Sequence, residues 1–282
     1  MGPVLFMDSG IGGLPYCRRF FSRPHAPSVV YLADRAHFPY GTKTKGDLIR
    51  ILGDHVEHLS AFCSPVLAVL ACNTASVSAL AELRERFPVI PFVGTVPAVK
   101  PAVEESLRRS VGILGTERTL ADPSIGDLAS RYGPDCAVHK RAAPELVDFV
   151  ERRLAAASGE ERLRVAGTYI ERFRSLGVDA VVLGCTHFLF LVDEFRAAGA
   201  SGGCAVKIYD SLEGVCARAE ALLAEIRPSP RPPVPVGGDG DSVPRRLLLL
   251  SGEEPPGPLW EARAREYGMT LGLLPVWRAG TP

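Results

Sequence analysis

Two stretches of this sequence decide its fold, and they read Val69-Leu70-Ala71-Cys72-Asn73-Thr74 and Val182-Leu183-Gly184-Cys185-Thr186-His187. Each consists of an apolar run, a small residue, a cysteine and two side chains that can form hydrogen bonds. A looser repeat relates Phe6-Met7-Asp8-Ser9-Gly10 to Ile113-Leu114-Gly115-Thr116. The economical interpretation is a chain with two similar α/β halves, in each of which a central strand ends at a cysteine.

The pattern around these stretches predicts an α/β architecture with a mostly parallel sheet. Short apolar runs rich in β-branched residues alternate with longer segments whose apolar residues recur every three or four positions. The predicted strands are Val4–Met7, Val29–Ala33, Val66–Ala71, Ile90–Val93, Val111–Leu114, Ala180–Leu183, Val206–Tyr209 and Leu247–Leu250. The predicted helices include Gly46–Phe62, Ser76–Arg86, Leu163–Ser175 and Leu259–Tyr267, and regular structure is expected to lapse in the proline-rich segment Arg227–Pro244.

Length and composition argue against several classes of protein. The chain has 282 residues, enough for one large or two small domains, and its 32 basic residues balance 32 acidic ones, without the basic excess usual in nucleic-acid-binding proteins. The longest apolar run, Val66–Cys72, is far shorter than the roughly 18 residues of a membrane span. The start of the chain lacks the basic region of a signal peptide. Seven cysteines without a CxxC pair indicate reduced thiols in a cytosol.

Cys72 and Cys185 are each predicted at the carboxyl end of a strand, where open parallel sheets bind ligands. One such cysteine is usually a small buried apolar side chain, but two at equivalent positions of a repeat favour a shared chemical role. If the halves face each other, one thiolate can remove a proton from a carbon while the other thiol protonates its opposite face. Helix N-termini after each cysteine would favour the thiolate and bind a carboxylate, with Asn73, Thr74 and Thr186 adding hydrogen bonds.

Two further residues are candidates for proton transfer. Asp8 follows the first strand and is either the N-cap of the next helix or a carboxylate that acts beside Cys72. His187 lies on the same side of the extended chain as Cys185. A zinc site formed by these four residues has suitable ligand types but lacks a recognisable ligand spacing.

No metal or cofactor is expected. His55 and His58 are three residues apart on a predicted helix without a nearby third ligand, and they are expected on a solvated face. The glycine-rich segment after the first strand has Pro15 where a dinucleotide fingerprint has its third glycine. None of the five lysines lies in the phosphate-binding setting that pyridoxal phosphate needs.

Five motifs in order resemble the cofactor-independent aspartate/glutamate racemase family, and within it the glutamate racemases. They are Asp8-Ser9-Gly10-Ile11-Gly12-Gly13, Pro39-Tyr40-Gly41, Ala71-Cys72-Asn73-Thr74-Ala75, Gly115-Thr116 with Thr119, and Gly184-Cys185-Thr186-His187-Phe188. The resemblance covers nearly the whole chain, since Tyr209-Asp210-Ser211 and Ser251-Gly252 also fit. One departure is Leu189, where family members usually have proline.

The resemblance implies two pseudo-symmetric α/β domains with the active site in the cleft between them. The pattern of the tail adds that residues 1–97 and 208–282 form a discontinuous first domain and residues 98–207 the second. The implied reaction interconverts L- and D-glutamate in the bacterial cytoplasm and supplies D-glutamate for peptidoglycan, without pyridoxal phosphate or metal. No nucleic acid or membrane partner is implied. Homodimers are common in the family, although no segment identifies an interface.

The resemblance also assigns roles to individual residues. Cys72 is the acid/base thiol for D-glutamate and Cys185 the thiol for L-glutamate, with Asp8 and His187 assisting. The implied substrate contacts are Asp8, Ser9, Tyr40, Gly41, Asn73, Thr74, Thr186 and His187, and weaker correspondences are Thr116, Thr119 and Glu151.

Three other functions remain compatible with the sequence. A relative acting on aspartate or another amino acid would share the same motifs. A non-catalytic amino-acid-binding protein could have duplicated lobes, but it would leave the matched cysteines unexplained. The third alternative is a zinc enzyme with Cys72, Cys185, His187 and Asp8 as ligands.

Overall fold

The computed structural model describes residues 2–23, 26–226 and 243–274, so most of the predicted irregular segment 227–244 lies outside the described residues. The chain divides into two compact units, one formed by Met1–Thr95 with Gly214–Pro282 and the other by Val96–Glu213. One expected domain limit needs correction. The sequence placed Ile208 and Tyr209 in the first domain, but both pair with the preceding strand of the second unit.

Strands and helices alternate along most of the chain. The strands are β1 (Val4–Asp8), β2 (Val29–Ala33), β3 (Leu67–Leu70), β4 (Phe92–Gly94), β5 (Ser110–Gly115), β6 (Ala137–Ala142), β7 (Ala180–Gly184), β8 (Lys207–Tyr209), β9 (Arg246–Leu250) and β10 (Thr270–Leu273). The α-helices are α1 (Leu14–Phe21), α2 (Lys45–Cys63), α3 (Asn73–Arg86), α4 (Val99–Glu105), α5 (Glu117–Ala121), α6 (Pro123–Tyr132), α7 (Pro144–Asp148), α8 (Gly159–Ser175), α9 (Val192–Ala200), α10 (Leu212–Glu225) and α11 (Pro258–Tyr267).

Four strands of the first sheet have the same order as the four strands of the second. The first unit has a sheet in the order β10-β9-β2-β1-β3-β4, and the second has a sheet in the order β6-β5-β7-β8. Neighbouring strands run parallel throughout both sheets. The order β2-β1-β3-β4 therefore matches β6-β5-β7-β8, and the predicted α/β class with mostly parallel sheets is confirmed.

The strands that the sequence missed lie at sheet edges. Every predicted strand is present with small shifts at its ends. The missed strand β6 has no buried residue and carries His139, Lys140 and Arg141, while β10 contains Gly272. An edge strand needs neither a continuous apolar run nor strict alternation, so neither strand has the pattern that predicts one.

Helix α2 shows how local sequence fixes the packing around the first sheet. Its N-cap is Thr44, whose Oγ1 accepts a hydrogen bond from the Asp47 N–H at 3.1 Å, and it ends at Ser64 in the left-handed region. Apolar side chains at helical spacing join the core of the first unit, and they are Leu48, Leu52, Val56 and Leu59.

Among the described residues, no helix combines the length and apolar character needed to cross a bilayer.

In the second unit, a glycine allows close packing of a helix on the sheet. Gly112 lies in β5 beneath Phe173 of α8, and a Cβ placed on Gly112 would lie 2.6 Å from the Phe173 ring. Phe173 is buried, so the ring has little room to move. The side chain of any other residue at position 112 would therefore displace the helix or strain the ring.

The substitution Gly112→Ala should lower the free energy of unfolding by about 1–3 kcal/mol through overpacking against Phe173. Urea titration followed by circular dichroism measures the change. The matched control is Gly167→Ala in α8, where a Cβ would meet no atom within 4 Å. That substitution should leave stability unchanged or raise it by up to about 1 kcal/mol. Equal effects of the two substitutions would contradict the packing argument.

Candidate active site

Asp8 and Ser9 lie at the carboxyl end of β1. The buried Asp8 Oδ1 accepts hydrogen bonds from the Ser9 backbone N–H at 2.5 Å and from Ser9 Oγ at 3.2 Å. The next helix has Gly13 as its N-cap, so the interpretation of Asp8 as that N-cap is wrong. Asp8 is instead a buried carboxylate at the edge of the sheet where ligands bind in parallel folds.

Cys72 lies at the same edge of the sheet as Asp8 because of the strand register. Met7 of β1 pairs with Leu70 of β3, so the chain after each strand continues along the same edge of the sheet. Cys72 is buried and is the N-cap residue of α3. The expected helix N-terminus after this cysteine is therefore present, and it favours negative charge near its first turn.

The corner that carries Cys72 is held by two buried hydroxyls. Ser76 Oγ lies 2.8 Å from the Cys72 carbonyl oxygen and accepts a hydrogen bond from the Thr95 N–H at 2.8 Å. Thr95 Oγ1 donates to the Leu70 carbonyl oxygen at 2.7 Å. These bonds pair backbone groups between the end of β3 and the start of α3, so the thiol is presented from a fixed backbone.

Asn73 has a buried side-chain amide at the start of α3. It is the first residue of α3, is only 3% exposed, and neither its Oδ1 nor its Nδ2 has a hydrogen-bond partner among the described residues. A buried amide without partners costs free energy, so such a group usually marks a binding position. Thr74, the next residue, is also buried.

Tyr40 and Gly41 lie in a 3₁₀ turn, Tyr40–Thr42. The buried Tyr40 hydroxyl donates to Asp34 Oδ2 at 2.7 Å. Burial raises the pKa of Tyr40 well above its usual value, and the negative charges of Asp34, Cys72 and Asp8 raise it further. The first unit therefore brings the predicted residues Asp8, Cys72 and Tyr40 together.

In the second unit, Cys185 belongs to a chain of interacting groups. Gly115 of β5 pairs with Gly184 of β7, which brings Cys185 to the end of a central strand. Its Sγ lies 3.8 Å from His187 Nδ1, and His187 Nε2 lies 2.6 Å from Glu151 Oε1. All three side chains are largely shielded from solvent.

The electrostatics of this group favour a cationic imidazole. Burial alone would lower the pKa of His187, but its interactions with Cys185 and Glu151 more than offset burial and raise that pKa well above the usual value. The imidazole lies within hydrogen-bonding reach of the Cys185 sulfur, so the two groups can exchange a proton. The arrangement can therefore perform acid/base chemistry at Cys185.

The chain after Cys185 differs from the sequence expectation. The segment Thr186–Leu191 forms a 3₁₀ helix before α9 begins, whereas an α-helix follows Cys72 directly. Thr186 is buried at its start. The two cysteines thus have equivalent strands but different following helices, and His187 with Glu151 provides at Cys185 a group that the repeat itself does not supply.

Two residues of the site were underestimated from sequence. Glu151 lies in a π-helical turn, Phe149–Arg153, which has no sequence signature. The sequence therefore indicates Glu151 only through a weak correspondence with the racemase family. The sequence motifs do not include Asp34, although it directly follows β2 and precedes the Pro39-Tyr40-Gly41 motif. A carboxylate at a strand end is the signal that could have identified it.

Asp34, His37 and His55 form a group of potential metal ligands among the described residues, with donor atoms within 4.8 Å of one another. His55 was expected on a solvated face, but only 12% of its side chain is exposed because it points at Asp34. The nitrogen–oxygen distances are 2.9 Å for His37 and 3.0 Å for His55. At these distances the histidine nitrogens contact the Asp34 oxygens directly. The hydroxyl groups of Tyr40 and Ser251 donate hydrogen bonds to the same two oxygens.

Comparisons with known proteins identify the family of this chain. A model of the Asp/Glu/Hydantoin racemase family matches residues 25–219. The glutamate racemase of Treponema pallidum (strain Nichols) is 38% identical over 213 residues, covering 76% of this chain and 78% of that protein. The glutamate racemase of Sphingopyxis alaskensis is 37% identical over 259 residues, covering 91% of this chain and 92% of that protein.

Solved structures have the same fold. Escherichia coli glutamate racemase in complex with L-glutamate and the activator UDP-MurNAc-Ala aligns with a TM-score of 0.80 and 27% identity, covering 96% of this chain and 97% of that one. Thermus thermophilus glutamate racemase in complex with β-chloro-D-alanine aligns with a TM-score of 0.64 and 28% identity, covering 94% and 92%. With its paired strand-end cysteines and these similarities, the chain belongs to the Asp/Glu/Hydantoin racemase family.

Proposed function

We propose that this chain is an isomerase that interconverts L- and D-glutamate by proton transfer at two thiols, Cys72 and Cys185. The observation that carries the proposal is a buried cysteine after the equivalent strand of the four-strand order that both sheets share, β3 in one and β7 in the other. The end of each of these strands also carries groups that can accept or donate a proton. Relatives that are 37–38% identical to this chain are named glutamate racemase. This similarity supports glutamate as the substrate.

The proposed reaction uses the thiols on opposite faces of the α-carbon. For L-glutamate, the Cys185 thiolate takes the α-proton and leaves a planar carbanion. The Cys72 thiol then gives its proton to the opposite face and becomes a thiolate. The D-to-L direction reverses both transfers, so Cys72 is the base for D-glutamate.

The remaining residues have binding and assisting roles in this proposal. Asp8 assists proton transfer at Cys72, and His187, supported by Glu151, assists at Cys185. The amide of Asn73 and the N-terminus of α3 suit a substrate carboxylate, because both offer N–H donors. The other proposed contacts are Ser9, Tyr40, Gly41, Thr74 and Thr186.

The proposal extends to organisation and setting. It includes two domains, of which the second begins near residue 98 and ends after β8. It also includes a cytoplasmic location, supply of D-glutamate for peptidoglycan, and association as a homodimer. No metal or pyridoxal phosphate takes part.

Dialysed protein without added cofactor should racemise L-glutamate in D₂O, with loss of optical rotation and matching α-deuteration. Polarimetry and proton NMR measure the two quantities on one sample, and a parallel sample with L-aspartate tests substrate choice. Glutamate binding without α-exchange would indicate a binding protein instead. Inhibition by a chelator that zinc reverses would support the metal enzyme, and faster turnover of aspartate would reassign the substrate.

Replacement of either thiol by serine should reduce racemisation in both directions by roughly 10²–10⁴-fold, because a hydroxyl is a far weaker base than a thiolate. Cys185→Ser should retain some α-exchange of D-glutamate, and Cys72→Ser some exchange of L-glutamate. The control is Cys204→Ser, which alters a half-buried thiol beside Arg108 and should leave the rate unchanged. The assignment fails if both catalytic variants exchange the same enantiomer.

Glu151→Gln should lower the pKa of His187, because the Glu151 carboxylate is one of the groups that raise it. NMR titration of the histidine ring protons measures the shift, and exchange of L-glutamate should fall more than exchange of D-glutamate. The control is Glu161→Gln, which removes an ion pair with Arg153, a residue in the same turn as Glu151. An unchanged His187 pKa in Glu151→Gln would contradict the electrostatic argument.

The same pKa sets a pH dependence of stability. Because the folded-state pKa of His187 lies above its unfolded value of about 6.5, its stabilising contribution is fully present below that pH. The contribution is lost as the pH rises through the folded pKa. Glu151→Gln should therefore lose less free energy of unfolding than the unmodified protein over this rise in pH.

A further inference from the structure

Asp34 is a fully buried carboxylate that the proposed reaction does not use. It follows β2 directly and has no exposed surface. Burial alone would raise its pKa, but hydrogen bonds from His37, His55 and Ser251 outweigh burial and hold the pKa of Asp34 well below its usual range. The residue is therefore a buried anion at neutral pH, which a fold retains only when neighbouring donors stabilise it.

Four side chains from three segments of the chain surround this carboxylate. Tyr40 donates its hydroxyl to Oδ2 at 2.7 Å, and Ser251, which follows β9, donates to Oδ1 at 2.5 Å. His37 Nδ1 lies 2.9 Å from both oxygens, and His55 Nε2 of α2 lies 3.0 Å from Oδ2. The hydrogen bonds from Tyr40 and Ser251 and the contact of His37 use both carboxylate oxygens, and His55 adds a close electrostatic contact.

The backbone of Asp34 links this cluster to the site. Its N–H donates to the Asp8 carbonyl oxygen at 2.8 Å, at the end of β1. The Tyr40 ring is 2% exposed and shares the core of the first unit with Cys72. With its hydroxyl bonded to Asp34 and its ring in the core, Tyr40 anchors the turn Tyr40–Thr42.

We propose that Asp34 is a positioning residue, which fixes the turn at Tyr40 and Gly41 through the Tyr40 hydroxyl and the end of β1 through its own backbone. This inference rests on the proposed function, because it takes Tyr40, Gly41 and Asp8 as substrate contacts. Asp34 acts through these residues and does not touch the substrate. The carboxylate is required because the neutral amide of asparagine offers one accepting oxygen instead of two. The amide NH₂ group would also face the hydroxyl and imidazole donors that surround this position.

The test is a double-mutant cycle on racemisation of glutamate. Asp34→Asn should raise KM by ~10-fold or more with a smaller change in kcat, since a hydrogen bond to a charged group is lost. Tyr40→Phe should raise KM in the same direction, and the double variant should be no worse than the more severe single variant. Additive effects would overturn the proposal. The control Asp54→Asn alters a half-exposed carboxylate on α2, next to His55, and should leave KM unchanged.

A spectroscopic readout tests the same link without activity. Because Asp34 raises the pKa of Tyr40, that pKa should fall in Asp34→Asn. Ultraviolet absorbance measures the formation of tyrosinate as the pH rises. The difference between each protein and the same protein carrying Tyr40→Phe gives the titration of Tyr40 alone. An unchanged Tyr40 pKa would overturn the proposal.

Two further measurements cover the remaining outcomes. If Asp34→Asn does not fold, Ser251→Ala removes one donor to the same carboxylate and should raise KM less strongly, while an unchanged KM overturns the proposal. Chelation of the unmodified protein that abolishes activity, with recovery on adding zinc, would make the cluster a metal site and also overturn it. An inactive unmodified protein would refute the proposed function alone, because the Tyr40 titration still tests the contact with Asp34.

Discussion

The parallel register between β1 and β3, and between β5 and β7, determines which side chains meet at each cysteine. Met7 opposite Leu70 and Gly115 opposite Gly184 carry the following residues to one edge of each sheet. A shift of one residue would turn each strand-end side chain to the other face of its sheet. Because these strands are buried on both faces, burial of their apolar side chains fixes the register.

The two cysteine sites have the same framework but different chemistry. At Cys72, the surrounding groups are a carboxylate, a tyrosine anchored to a second carboxylate, and the N-terminus of a complete α-helix. At Cys185, a histidine supported by Glu151 stands where the helix is replaced by a 3₁₀ segment. Each site thus has its own source of positive potential for a thiolate, the helix N-terminus at one and the imidazolium at the other.

Sequence alone predicted the parts that depend on local pattern. The central strands, helices such as α2 and α8, and the α/β class follow from apolar periodicity, and the paired cysteines follow from the repeat. The edge strand β6 was missed because it buries no side chain. Contacts such as those of Asp34 with Ser251 and His55 join residues that are far apart in the chain. The position of Glu151 depends on an irregular turn. Neither the contacts of Asp34 nor the position of Glu151 could therefore be predicted from the spacing of residues in the sequence.

The early distribution of deuterium during racemisation of L-glutamate in D₂O tests most directly whether two thiols act on opposite faces of the substrate. If two thiols act, the first D-glutamate formed carries deuterium at the α-carbon, because its proton comes from a thiol equilibrated with solvent. The remaining L-glutamate keeps its original proton at the same early times. If one base served both faces, early D-glutamate would retain a substantial share of the substrate's own proton, and the two-thiol mechanism would be contradicted.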